Sequence, residues 1–212
     1  MAKRVFITAT NTDIGKTYAT KLLLETYASM GYRVGAFKPI ETGVINTPAD
    51  GNALLQLMHQ LNPQTRHLHV NDIVPLQYTL PAAPYVASGG VAIDFKKIDA
   101  ALQNLEHYCD IVLIEGAGGL MVPLDAKYKM IDLIHHLQAK ALLVAHCNLG
   151  CINDLLLNLY LLKHHPIPYE WSLNCHDDTS FENVSKPYFV NTFSSYYDLT
   201  KDVKNIAVAL IN

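Results

Sequence analysis

The sequence predicts an α/β fold in which helices cover both faces of one mostly parallel β-sheet. Short apolar runs alternate with longer amphipathic segments along the chain. This alternation is typical of βαβ units, in which a helix connects two parallel strands. The 212 residues are 50% apolar and 17% charged, so the chain can bury a full core. No linker, repeat or boundary interrupts the pattern, and we expect a single domain over residues 1–212.

Each element follows from a local pattern. Short apolar runs predict strands at Val5–Thr8, Val34–Phe37, Ile111–Ile114, Leu142–Ala145 and Glu170–Leu173. Amphipathic runs predict helices at Lys16–Met30, Asp50–Gln60, Phe95–His107, Ile131–Gln138, Ile152–His164 and Asp198–Leu210. The segment Asn62–Gly90 contains several prolines and has no clear period. We therefore expect it to run over the surface.

A phosphate-binding loop (P-loop) is predicted between the first strand and the first helix. Its sequence is Ala9-Thr10-Asn11-Thr12-Asp13-Ile14-Gly15-Lys16-Thr17. Backbone N–H groups in such a turn converge on one point, and the helix dipole favours an anion there. Gly15 allows close approach, Lys16 can reach terminal phosphates, and the Thr17 hydroxyl suits Mg²⁺. Thr10 stands where such loops usually have glycine, which leaves an ordinary loop as the alternative.

Polar residues also follow the other predicted strands. They are Lys38-Pro39, Glu115-Gly116-Ala117-Gly118-Gly119, Asn148-Leu149-Gly150 and Asn174. Open parallel sheets bind ligands in the crevice at the carboxyl ends of their strands, so we expect a site at this edge. For any one of these residues, a solvated strand end is the alternative.

Three charged residues are candidates for this site. Glu115 stands where nucleotide-hydrolysing folds place the acid that holds Mg²⁺ directly or through water. Asp50 either caps a helix or provides a second carboxylate for the metal, and the spacing leaves both open. Lys38 is held extended by the following proline and would place a cation beside the γ-phosphate if its strand lies next to the first. A solvated lysine is the alternative.

Composition and charge argue against a nucleic-acid or membrane partner and bear on the compartment of the protein. The formal net charge is −3 and no run of like charges is present, which argues against a nucleic-acid surface. We recognise no signal peptide and no apolar run that could span a membrane. The cysteines are scattered, which predicts reduced thiols in a cytoplasmic protein; they are Cys109, Cys147, Cys151 and Cys175.

Four motifs together resemble the dethiobiotin synthetase family, the ATP-dependent ring-closing enzymes of biotin synthesis. They are Thr10-Asn-Thr-Asp-Ile-Gly-Lys-Thr17, Phe37-Lys-Pro-Ile-Glu-Thr-Gly43, Glu115-Gly-Ala-Gly-Gly119 and Leu149-Gly-Cys-Ile-Asn153. The resemblance runs in order from residue 3 to about residue 175. The first three motifs are shared in part with amidotransferase-like and ParA-like P-loop proteins. A ParA-like regulatory ATPase, which acts by nucleotide-driven partner binding, and a small-molecule kinase are therefore the alternatives.

The resemblance implies a reaction between CO₂ and 7,8-diaminopelargonic acid, driven by ATP with Mg²⁺. A carbamate forms, ATP converts it to a carbamic-phosphoric anhydride, and the second amine closes the ring with release of phosphate and ADP. By the same resemblance Lys16 and Lys38 are catalytic, and Thr42 hydrogen-bonds the carbamate or a diamine nitrogen. The implied metal ligands are Thr17, Asp50 and Glu115.

The resemblance also implies the remaining contacts. The nucleotide contacts are Thr12, Asp13, Ile14, Gly15, Lys16, Thr17, Tyr18, Asp50, Glu115, Gly116, Ala117, Gly118 and, for the base, Asn174. The substrate contacts are Thr42 and Gly118, with the far carboxylate bound by the second subunit of a homodimer through Gly150, Cys151, Ile152 and Asn153. Asn148 departs from the lysine that is common in the family. The Pro-containing loop that closes over adenine is not recognisable after Cys175, and Lys186–Phe189 is its only faint candidate, so we expect weak base selectivity.

Overall fold

The computed structural model describes residues 2–175 and 178–212, of which residues 178–180 are described by their backbone alone. The strands are β1 (Lys3–Ala9), β2 (Val34–Phe37), β3 (Ile40–Thr42), β4 (Leu76–Tyr78), β5 (Ile111–Gly119), β6 (Lys140–His146), β7 (Tyr169–Asn174) and β8 (Tyr197–Asp198). Six of them form one parallel sheet in the order β2-β5-β1-β6-β7-β8. The central strands are buried on both faces, which explains why they appear in the sequence as continuous apolar runs.

The α-helices are α1 (Lys16–Ser29), α2 (Ala49–Leu61), α3 (Val70–Ile73), α4 (Pro84–Ala87), α5 (Phe95–Glu106), α6 (Met130–His136), α7 (Cys151–Lys163), α8 (Asp178–Val184), α9 (Lys186–Thr192) and α10 (Val203–Ile211). Helices α1, α2, α5, α6, α7 and α10 pack against the six-stranded sheet. The predicted parallel α/β class is confirmed. Within the described residues, no helix has the length and apolar character needed to cross a membrane.

The predicted surface excursion between residues 62 and 90 is wrong in part. It contains β4, which pairs in parallel with β3 to form a second small sheet. The Lys38 N–H donates to Ile73 O, at 2.9 Å, and the side chains of Ile73 and Val74 are fully buried. Because strand pairing satisfies the backbone here, this segment can enter the core.

The C-terminal region also differs from the prediction. The last helix begins at Val203, since residues 197–198 form the edge strand that pairs with β7. The candidate adenine loop at Lys186–Phe189 is the first turn of α9. Phe189 on that helix is fully buried, and its ring lies 6.1 Å from the ring of Trp171.

The prediction that all four cysteines are reduced thiols is wrong for one pair. Strands β6 and β7 are paired so that His146 faces Asn174, and the next residue of each is a cysteine. Cys147 and Cys175 are therefore neighbours, with Cα atoms 5.1 Å apart, and they form a disulfide. Cys109 and Cys151 are free and buried, and burial raises the pKa of the Cys109 thiol to about 12.

Candidate active site

The predicted P-loop connects β1 to α1. Gly15 has φ 100°, a left-handed conformation, and a Cβ on it would lie 2.3 Å from Asn174 Nδ2. Only glycine fits this position. The first N–H groups of α1 have no acceptor within the helix and point out of its N-terminus. Lys16 donates from Nζ to the carbonyl of Asn11, at 3.1 Å, so the lysine side chain lies over its own loop.

Lys38 and Glu115 form a buried ion pair. Strand β2 pairs with β5 rather than with β1, so the condition attached to the prediction for Lys38 is not met. Lys38 nevertheless reaches the cavity beside the P-loop, because Phe37 faces Ile114 and the next residue of each strand carries a charge; its place beside a γ-phosphate stays a prediction. Lys38 Nζ lies 2.6 Å from Glu115 Oε1 and 3.1 Å from Asp50 Oδ2. Lys38 is therefore not a solvated lysine.

The electrostatics of Lys38 follow from these contacts. Burial by itself would lower the pKa of Lys38, but the carboxylates of Glu115 and Asp50 raise it above its usual value. Lys16 differs, since burial and the positive charge of Lys38 together lower its pKa. The two ammonium groups are thus close enough to interact, and an anion bound between them would relieve their repulsion.

Glu115 also contacts the P-loop helix. The Thr17 hydroxyl donates to Glu115 Oε1, at 2.9 Å. The other oxygen, Oε2, is buried and has no hydrogen-bond partner among the described residues. A buried carboxylate oxygen without a partner is costly, and it is a ligand that Mg²⁺ favours. The strand itself continues past Glu115 to Gly119, further than the predicted end at Ile114.

Asp50 is not the helix cap that one interpretation of the sequence suggested. Helix α2 begins at Ala49 with Pro48 as its N-cap residue, so Asp50 lies inside the first turn. The cap comes from Glu41 on β3, whose Oε1 accepts from the Asp50 N–H at 3.1 Å and whose Oε2 accepts from the Gly51 N–H at 2.9 Å. Sequence reasoning missed this role because it did not predict β3.

These residues surround one cavity of 490 Å³ at the carboxyl ends of β1, β2 and β5. The predicted site residues on its wall are Thr12, Asp13, Gly15, Lys16, Thr17, Lys38, Thr42, Asp50, Glu115, Gly116, Ala117 and Gly118. Glu41 also lines the cavity, although it was not among the predicted site residues. The wall carries four carboxylates and two ammonium groups, so a polyanion requires an additional cation.

Three predicted nucleotide residues lie outside the cavity wall. Ile14 is half-buried within the loop, and the Tyr18 hydroxyl on α1 lies 3.3 Å from Thr200 Oγ1. Asn174 is 5% exposed and donates from Nδ2 to the carbonyl of Ile14, at 2.8 Å. Asn174 therefore supports the P-loop from the end of β7, and its contact with a base stays a prediction.

The predicted carboxylate site is at the N-terminus of α7, which follows Gly150 with φ 100°. The Cys151 N–H already donates to Asn148 O, at 3.0 Å, so it is not available to an anion. Asn153 donates to Asp154 Oδ1, at 3.3 Å, and His146 Nε2 lies 3.1 Å from Asp154 Oδ2. Residues 150–153 are absent from the cavity wall, and their role across a dimer stays a prediction.

A phosphate loop after β1, an acid on β5 and a parallel sheet define a P-loop nucleotide-binding protein. A family model described as "AAA domain" matches residues 3–170. A ParA family ATPase from Chlorobium tepidum has a TM-score of 0.54 at 14% identity, over 99% of this chain and 92% of that one. A putative plasmid partition protein from Borrelia burgdorferi, bound to AMPPNP, has a TM-score of 0.56 at 9% identity, over 99% and 96%. These likenesses support the fold alone.

Curated relatives identify the family within this class. ATP-dependent dethiobiotin synthetase BioD from Sulfurovum sp. is 41% identical over 97% of this chain and 99% of its own. The protein of the same name from Helicobacter pylori (strain Shi470) is 40% identical over 87% of both chains. BioD 1 from Escherichia coli is 34% identical over 77% of this chain and 73% of its own. The chain belongs to the ATP-dependent dethiobiotin synthetase family.

Proposed function

We propose that this chain is an ATP-dependent dethiobiotin synthetase. It joins 7,8-diaminopelargonic acid to CO₂, closes the ureido ring, and releases ADP and phosphate. The observation that carries this proposal is the cavity in which the P-loop faces the buried Lys38–Glu115 pair. Full-length similarity to curated family members supports it independently.

The chemistry requires two anions to meet. One amine attacks CO₂, loses a proton and becomes a carbamate. A carbamate oxygen then attacks the γ-phosphorus, and the bond from that phosphorus to ADP breaks. Finally the second amine attacks the carbonyl carbon, phosphate leaves, and a second proton is lost. Lys16 and Lys38 supply positive charge where carbamate and γ-phosphate approach, and Thr42 orients the carbamate or an amine.

The donors in the cavity fit Mg²⁺. We propose Thr17, Asp50 and Glu115 as its ligands, because the set is all oxygen and Glu115 Oε2 is buried without a partner among the described residues. No group of three or more His, Cys, Asp or Glu side chains within the described residues is arranged to hold a metal unaided. Mg²⁺ commonly takes one or two carboxylates together with substrate phosphates, and it would neutralise phosphate charge in this acidic cavity.

The substrate carboxylate is proposed to bind at residues 150–153 of a second subunit, through groups other than the Cys151 N–H, which already donates to Asn148 O. Apolar side chains exposed at and along α7 support a homodimer through this surface; they are Leu149, Leu157 and Tyr160. We expect the enzyme to act in the cytoplasm, and its net charge of −3 gives no support to a nucleic-acid or membrane partner. The base contact of Asn174 is proposed from the family resemblance, and through Nδ2 it requires the amide to turn from Ile14.

Phosphate release tests the proposal. The diamine, bicarbonate, Mg²⁺ and ATP are each omitted in turn, and release is expected only with all four. Lys38→Ala is expected to lower kcat by at least about 100-fold, since one such charge contributes roughly 3 kcal/mol to the transition state. Lys96→Ala, an exposed lysine on α5, is the matched control. A rate of ATP hydrolysis that is the same with and without the diamine would instead support a ParA-like regulatory ATPase.

A further inference from the structure

We infer that Glu41 binds the protonated amine of the diamine substrate, an inference that rests on the proposed function. Glu41 lies on β3 between Lys38 and Thr42, and it lines the same cavity as both. The residue is 6% exposed, which is unusual for a glutamate. Neither the nucleotide nor the metal needs Glu41, and a cap could be made by a neutral side chain, so the negative charge of Glu41 in the cavity wall is available for a ligand.

The carboxylate of Glu41 is held in one orientation. Each of its oxygens accepts one N–H from the first turn of α2. A Cβ at residue 51 would lie 3.3 Å from Glu41 Oε2 and 2.3 Å from Val74 Cγ2, so glycine there lets the carboxylate approach the helix. A carboxylate oxygen has two lone pairs, so each oxygen keeps capacity for one more donor.

Glu41 has no salt-bridge partner in the part of the chain that the structure describes. Among the ion pairs of the described residues, none includes Glu41, and Lys38 is instead in direct contact with Glu115 and Asp50. A buried carboxylate that lacks a cation is costly, and a cationic group entering the cavity would stabilise it.

The substrate supplies such a group. Alkyl amines resemble the lysine side chain, with a pKa of about 10, but positions 7 and 8 are adjacent and the first ammonium lowers the pKa of the second amine, so the diamine enters the site with one ammonium. One amine must be neutral to attack CO₂, whereas the other can remain an ammonium until ring closure. An ammonium on Glu41 would orient the substrate next to Thr42 and would favour diamines over monoamines.

The test compares Glu41→Gln with the wild-type chain. Glutamine keeps the size and one acceptor oxygen but removes the charge. We expect KM for the diamine to rise by about 10- to 100-fold, with kcat and KM for ATP within about twofold, since a hydrogen bond to a charged group is lost. Glu25→Gln, an exposed acid on α1, is the matched control, and Glu41→Asp is expected to recover part of the loss.

Monoamine analogues separate ligand binding from helix capping. Affinities of 7-amino- and 8-aminopelargonic acid for both proteins are measured by calorimetry with a non-hydrolysable ATP analogue and Mg²⁺. The penalty of Glu41→Gln is expected with one analogue and not with the other. An equal penalty for both, or an unchanged KM for the diamine, overturns the inference while the proposed function stands. Wild-type phosphate release that does not depend on the diamine overturns both.

Discussion

Glu115→Gln is expected to destabilise the protein far more than Asp50→Asn, although both side chains contact the same ammonium. The Lys38 Nζ lies 2.6 Å from Glu115, whose side chain is 1% exposed, and 3.1 Å from Asp50, whose side chain is 49% exposed. Breaking a buried pair leaves an uncompensated charge and costs about 3–5 kcal/mol. Because Asp50 stays in contact, we expect a loss of about 2–4 kcal/mol for Glu115→Gln.

Asp50→Asn removes the exposed partner and should cost at most about 1 kcal/mol, the range of solvent-screened pairs. The assay is urea unfolding without nucleotide, followed by the fluorescence of Trp171, the single tryptophan of the chain. Lys38→Met and its double mutant with Glu115→Gln complete a cycle, in which we expect a coupling energy of about 1–3 kcal/mol. Equal losses for the two acid variants would refute the argument that burial sets the strength of this pair.

Three further predictions concern the loop, the disulfide and the base. Gly15→Ala should weaken ATP binding by at least about tenfold, because alanine would strain the backbone there and clash with Asn174. Gly31→Ala, at φ 89° in open space, is the control for backbone strain alone. Equal affinities of the two variants for ATP would contradict this prediction. Reduction of the Cys147–Cys175 disulfide, whose cysteines are 28 residues apart, should lower the free energy of unfolding by about 2–4 kcal/mol. Urea titration with and without a reductant measures this, and the chain with both cysteines replaced by serine is the control. An unchanged urea midpoint after reduction would count against the prediction. Comparison of kcat/KM for ATP, CTP and GTP should show weak discrimination, and a preference for ATP of about 100-fold or more, roughly 2.7 kcal/mol, would rule this out.

The long central strands were predictable because their burial requires a recognisable run of apolar residues in the sequence. Ile111–Ile114 is buried on both faces of the sheet, and such a strand needs an unbroken apolar run. Strands β3 and β4 have three residues each, too few to show a period. They form because they pair with each other, which is a contact between distant parts of the chain.

The candidate site likewise has a part that the sequence predicted and a part that depends on contacts between distant residues. The P-loop is contiguous, so residues 12–17 were identified from the sequence, and most of them line the cavity. The Lys38–Glu115 contact depends on strand order, which the sequence left open, and it arises because β2 pairs with β5. Neither the capping of α2 by Glu41 nor the Cys147–Cys175 bond was anticipated, since each depends on the register of strands.

Asn174 and the adjacent Cys147–Cys175 disulfide link the P-loop to a helix start that is far from it in sequence. Asn174 holds the carbonyl of Ile14, and the residue after it is bonded through sulfur to Cys147, three residues before Gly150 and the start of α7. The turn that is proposed to bind the triphosphate and the helix end that is proposed to bind the substrate carboxylate of the other subunit are thus tethered to one another. In the proposed homodimer these two places serve different active sites, so the same tether reduces the conformational entropy that each site loses when its ligand binds, and more of the contact energy remains for affinity.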